Sequence, residues 1–348
     1  MKKKMLLALI SIVLVCTVVF FMACDGESDT FDENINLSHD DLGVAPNAEA
    51  IKGIDAPDAS KLNVTSSELS EDAAVKEAAT YLFNLANDNL SKVNYYANYA
   101  YGSGVATVVN LNMAGSMQVR EVRIKDGSAM YMETMGRVVN GYKTSTPDKN
   151  DAFILGLCRE LLDYGNRKYT PDGSTFYVQE GKSKCLLPGV IDNFYTDTAY
   201  IDWDKCSKVR SMSKSDFMKE DYYNKSYVEV TSATINPSTV KNASIVYNED
   251  GYYEIEITVD VTTDALKLST ESTRESANSD DIVYRYQTIK CQIWDCGLFK
   301  QYETYDSWAG SLLNMLEGTS ENEWHKTFTY NKENAPDYQI PTSVSWAK

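Results

Sequence analysis

Histidine is almost missing from this chain. His39 and His325 are the only two in 348 residues, which leaves little for the imidazole-based acid–base and metal chemistry common in enzymes. No His-Glu-x-x-His, no Gly-x-Ser-x-Gly elbow and no phosphate-cradling Gly-x-x-x-x-Gly-Lys occurs. His39 lies in an acidic stretch. His325 falls on a strand-like segment opposite Trp324, Phe328 and Tyr330, and is expected to face solvent. Positive charge is also scarce. Setting aside the three lysines of the first 23 residues leaves 30 basic against 50 acidic residues, a net charge of −20. Such a surface repels phosphates, so nucleic acid is excluded as a partner, as is peripheral binding to anionic lipid headgroups. Proline is rare at 8 residues, while 24 Tyr, 10 Phe and 5 Trp favour strands.

Cysteine is sparse and unpatterned. Beyond Cys16 and Cys24, the chain holds Cys158, Cys185, Cys206, Cys291 and Cys296. An odd, scattered set is no disulfide framework. Cys291 and Cys296 lack two further ligands nearby, so zinc is not expected, and neither is any other metal or cofactor. The many acids give no spacing signal, so a carboxylate-dependent hydrolase stays open as an alternative.

Long apolar runs are limited to one, Met5 to Ala23, preceded by Lys2, Lys3 and Lys4 and followed by Cys24, Asp25 and Gly26. A charged start, an apolar middle and a small residue before a cleavage point make an export signal. The segment Phe21-Met22-Ala23-Cys24 resembles the lipobox of bacterial lipoproteins: Ala23 and Cys24 match the pattern, while Phe21 and Met22 are bulkier than its first two positions. The resemblance implies removal of residues 1–23, acylation of Cys24 with palmitate-type chains, and an extracytoplasmic body whose membrane partner is its own lipid anchor. An uncleaved signal anchor or plain secretion are the alternatives; about 20 apolar residues also suffice to cross a bilayer.

Residues 24–69 carry eleven acids against Lys52 and Lys61 with no sustained periodicity, and are expected to form a disordered tether. Residues 70–348 are expected to form one domain. Ser70 reads as the N-cap of a helix whose stripe is Val75, Ala78, Ala79, Leu82, Leu85 and Ala86. A second helical pattern spans 151–164, closed by Gly165, and a short third lies near 215–224. Strands are expected over 95–110, 116–125, 128–139, 253–261 and 324–330. Lys125-Asp126-Gly127, Pro171-Asp172-Gly173, Glu249-Asp250-Gly251 and Asp295-Cys296-Gly297 each suit a three-residue hairpin with a left-handed Gly. Those loops would pair Tyr247 with Tyr253, Ile245 with Ile255 and Val122 with Met130. Cys291 would stand opposite Gln301, too far from Cys296 for a disulfide.

Methionine is concentrated, with Met113, Met117, Met130, Met132 and Met135 in one predicted meander. Packing against the helix accounts for it, but adaptable Met also suits an apolar ligand surface, which makes Met117, Val122, Met130 and Met132 the candidate binding residues. The fold class expected is α+β: a curved, half-barrel-like antiparallel meander with helices packed on one side. In element order, residues 70–335 resemble the Lol-type lipoprotein carriers and the mycobacterial lipoproteins that bind acylated molecules. That resemblance implies a concave face holding a lipid-like ligand, without catalysis. The alternative is a module presenting a surface to a wall polymer, glycan or protein.

Overall fold

The computed structural model describes residues 43–108, 111–143, 155, 164–182, 208–213, 235–262, 281–312 and 316–332. They form β1 (Ser66–Ser70), α1 (Ala73–Lys92), β2 (Tyr95–Val108), β3 (Leu111–Asp126), β4 (Ala129–Lys143), β5 (Tyr164–Thr170), β6 (Phe176–Lys182), β7 (Lys208–Met212), β8 (Val240–Asn248), β9 (Tyr252–Val259), β10 (Val283–Trp294), β11 (Phe299–Leu312) and β12 (Leu316–Thr329). The strands join one curved, open antiparallel sheet in the order β1-β8-β9-β10-β11-β12-β2-β3-β4-β5-β6-β7. Two meanders, β2–β7 and β8–β12, meet where β12 pairs with β2, with Phe328 opposite Asn98. The expected fold class holds, with one α-helix on the sheet among the described residues. None of these residues forms a helix long and apolar enough to cross a membrane.

The helix starts two residues later than its sequence suggested. Ser70 ends β1, and its hydroxyl accepts the Asp72 N–H at 3.1 Å. Asp72 is the cap, its carboxylate accepting the amides of Ala74 at 2.8 Å and Val75 at 3.4 Å, where it also offsets the positive end of the helix dipole. The predicted stripe is buried except for Leu85, which lies at its margin; Phe83 and Leu90 are buried as well. These residues pack on Ile245, Ile255, Ile257, Ile289, Phe299, Tyr302 and Phe328. The Phe83 ring meets those of Phe299 and Tyr302 at 5.8 and 6.2 Å. The helix rests chiefly on β8–β11.

From residue 43 onward the acidic segment is part of the body, not a tether. Asn47 N–H donates to Asn331 Oδ1 at 2.8 Å, and Asn331 Nδ2 donates to the Ala45 carbonyl at 3.0 Å. Asn89 clasps the backbone of Asp55 in both directions, at 2.8 and 2.9 Å. Ile51, Ile54, Leu62 and Val64 pack on the helix core, and β1 extends the sheet beside β8. Net acidity misled here because a few spaced apolar anchors suffice when tertiary partners wait for them. Residues 1–42 lie outside the described residues.

All four Gly-marked turns join paired strands, but only two have the expected loop. Glu249–Gly251 is a three-residue turn, with Gly251 at φ 87° and Tyr247–Tyr253 and Ile245–Ile255 paired. Asp295–Gly297 is another: Gly297 N–H donates to the Trp294 carbonyl at 2.8 Å. A bulge between Gln292 and Ile293 then shifts the ladder, so Cys291 pairs with Tyr302 and not Gln301. Cys291 and Cys296 are both free. The β3–β4 turn is Gly127–Ser128, because Asp126 pairs with Ala129. The β5–β6 loop is 171–175, held by Asp172 Oδ1, which accepts the Ser174 amide at 2.8 Å. Tyr164 and Gly165 begin β5 and do not close a helix. Of the expected second helix only Leu155 is described, and it is helical; the third lies outside the described residues.

Candidate functional site

The register of β3 and β4 sorts the predicted binding residues onto two faces. Arg123 pairs with Met132, and Lys125 with Met130. Arg123 also pairs with Tyr96, which lies in the helix-packed core. Met117, Met130 and Met132 therefore share the helix side of the sheet. Val122 pairs with Glu133, which puts it on the opposite face, away from Met130. The expected Val122–Met130 pairing assumed a loop at Lys125–Gly127; the turn at Gly127–Ser128 moves Val122 opposite Glu133, an odd shift of three residues that reverses the face. Met113 has the parity of Met117, whereas Met135 pairs with Arg120 on the opposite face. Cys24 lies outside the described residues.

On the helix side one row runs Tyr96–Arg123–Met132–Lys168–Val178 across five strands. Apolar and cationic side chains alternate in it, and all five residues are buried. The cations have a structural cause. The Arg123 guanidinium donates to the carbonyls of Leu90 and Val93 and stacks 4.5 Å from the Tyr96 ring. Lys125 Nζ donates to the Ser91 carbonyl at 2.5 Å. Both supply positive charge at the helix C-terminus, where carbonyls lack partners. Burial, then Arg123, pulls the Lys125 ammonium down to about 7. In the next row Glu121 accepts from Tyr96 Oη at 2.6 Å and Asn98 Nδ2 at 3.0 Å. Burial raises its carboxyl to about 7 against those hydrogen bonds and the charges of Lys326 and Arg123.

Farther along the same side, β10–β12 carry a polar cluster. Gln287 pairs with Asp306 and Asp306 with Asn322, while Trp308 pairs with Ser320 and Thr304 with Trp324. All seven are buried. Asn322 Nδ2 donates to Asp306, and Ser320 Oγ donates to Asn322 Oδ1 at 2.7 Å. Gln287 Oε1, Trp308 Nε1 and Trp324 Nε1 have no hydrogen-bond partner among the described residues, a cost of about 1–3 kcal/mol for each such group. Trp324 lies over Gly102, where a Cβ would come within 2.6 Å of the indole, and clusters with Ala100 and Met117. No periodicity announces this cluster. The signal available in the sequence was two polar residues and then a Trp at alternate positions on two adjacent strands, Thr304, Asp306 and Trp308 on β11 and Ser320, Asn322 and Trp324 on β12.

The opposite face is wetter over β8–β12. A groove of about 280 Å³ there is lined by Glu254, Glu256, Glu303, Lys290, Gln292 and Gln301, among others. Beside it sits His325, half-buried and not simply solvent-facing. Its Nδ1 is 3.2 Å from Glu303 and its Nε2 2.6 Å from Glu323. Tyr305 and Tyr101 flank the ring at 5.9 and 6.5 Å. Burial pulls the imidazole down, but the hydrogen bonds and charges of the two carboxylates outweigh it and push it up to about 9. An imidazolium charged at neutral pH ties β11 to β12 and is a poor general base there. No group of metal ligands is assembled among the described residues.

No protein-family model matches the chain, and no curated protein matches it. Among solved structures, a lipovitellin chain studied for its lipid–protein interactions is similar over 72% of this chain, at 10% identity and a TM-score of 0.28. This chain spans 26% of that chain's length. An N-terminal dehydratase from the difficidin assembly line is similar over 73% of this chain and 84% of its own, at 8% identity and a TM-score of 0.12. Likenesses at these scores carry no argument about function.

Proposed function

We propose that this chain is a lipid-anchored, extracytoplasmic binding protein that holds an apolar or lipid-like ligand on the helix side of its sheet and performs no chemistry on it. One observation carries the reading. Met117, Met130 and Met132 occupy that face on β3 and β4, beyond the strands on which the helix chiefly rests, with Arg123 and Lys168 in the same row as Met132. Flexible thioethers adapt to acyl chains. The anchor rests on the export signal and Cys24. Two or three acyl chains hold a protein firmly, at about 0.8 kcal/mol per buried CH₂.

Two measurements test it. In Cys24→Ala, palmitate label should vanish and the protein should leave the membrane fraction; a variant that stays membrane-bound with an intact N-terminus overturns the anchor. In Met130→Asp, a carboxylate on the strip should abolish co-purification of lipid from a chain that still folds by circular dichroism. Because an acid at a buried site can unfold the sheet, Met130→Gln provides the milder variant. Folded variants that carry the wild-type lipid complement overturn the site.

A further inference from the structure

The Met strip leaves the polar cluster on β10–β12 unused, yet Trp324 touches both, packing with Met117 on one side and sharing a ladder rung with Thr304 on the other. The cluster's buried atoms that lack a partner among the described residues are of two kinds. The indole nitrogens of Trp308 and Trp324 can only donate, and Gln287 Oε1 can only accept. A ligand that satisfies both kinds must accept and donate from one small region. An ionised carboxylate or a phosphodiester cannot donate, an ammonium cannot accept, and the Asp306 carboxylate on the same face disfavours an anion, a protonated phosphate included. Hydroxyl groups do both. Thr304, the rung of Trp324, and Trp308 are four residues apart on β11, or about 13 Å along the strand. Indole faces beside that interval accept sugar C–H groups.

We infer that the ligand is a glycolipid, with a neutral sugar head among Gln287, Asp306, Asn322 and the two tryptophans, and an acyl chain directed from Trp324 along Met117 and its neighbours. This inference rests on the Met strip being the acyl site. The full-length protein is titrated with monoglucosyl diacylglycerol, with diacylglycerol of the same chains, and with methyl glucoside, and bound species are counted by native mass spectrometry.

The glucosylated lipid should bind at least tenfold more tightly than plain diacylglycerol. Trp308→Phe removes the indole N–H and trims the ring, and Gln287→Met keeps size while removing the amide acceptor together with its NH2. Both should reduce that preference toward unity and leave diacylglycerol binding unchanged, a readout that a merely structural role would not move. Equal binding of the two lipids, or an undiminished preference in both folded variants, overturns the head-group assignment and leaves the Met strip standing. Methyl glucoside binding as tightly as the glycolipid makes a free sugar the ligand and overturns the lipid source. Failure to bind either lipid overturns both readings.

Discussion

The two halves of this sheet bury their side chains by different rules. Under the helix, β8–β11 present Ile245, Ile255, Ile257 and Ile289 to α1, while Glu254, Glu256 and Lys290 lie on the wet side. Burial there alternates along the strand, as a one-sided antiparallel sheet requires. In β3 the alternation is gone. Gln118, Arg120, Val122 and Ile124 are buried on one face, and Met117, Glu121 and Arg123 on the other. Charge there is internal and is matched by helix carbonyls, tyrosine hydroxyls and amides. The first half is held by apolar area, whereas the second buries charge that depends on particular partners, such as those of Arg123 and Glu121.

That difference yields graded tests. The largest loss should come from Phe83→Ala under the helix, where a fully buried ring against Phe299 and Tyr302 is removed. Urea unfolding should show about 3–5 kcal/mol, and a change below 1 kcal/mol would mean that the helix is not the main lid of the core. Arg123→Met should cost less, about 1.5–3 kcal/mol, the worth of hydrogen bonds from a charged group. It leaves the carbonyls of Leu90 and Val93 without their donor. If that variant were more stable than wild type, hydrophobic replacement would suit the second half as well, and the contrast would dissolve.

The smallest effect concerns pH. The His325 imidazole is held near 9 in the fold, above its ordinary 6.5. Its contribution is complete below pH 6.5 and is lost as pH rises through 9. Glu121 and Lys125 also titrate near 7, so the informative quantity is the difference between wild type and His325→Gln. That difference should shrink from pH 6 to pH 9.5. A constant difference would show that Glu303 and Glu323 do not hold the ring charged.

Legibility in the sequence followed the same division. Val75, Ala78, Ala79 and Leu82 declared the helix because one face is buried and the period is clean. Tyr247–Tyr253 and Ile245–Ile255 followed from a turn whose Gly at positive φ fixed the loop length. In β3–β4 the same Gly logic failed, since Gly127 opens a two-residue turn there. With both faces buried, hydrophobic alternation could not correct the register, so Val122 was matched to the wrong face. The burial of Arg120, Glu121 and Arg123 was not legible because a sequence shows charge but not the partner that allows its burial. The Trp308–Asp306–Asn322 cluster was hidden for a related reason: its members are spread over β11 and β12 and meet only through the ladder.

The most direct test of the central claim is the mass of the full-length protein purified from membranes, recorded first under native and then under denaturing conditions. The covalent anchor on Cys24 persists through denaturation, whereas a ligand on the Met117–Met132 face is released. Loss of a discrete lipid mass on unfolding, at close to one equivalent per chain, is the predicted result. A folded chain whose native and denatured masses agree would contradict it.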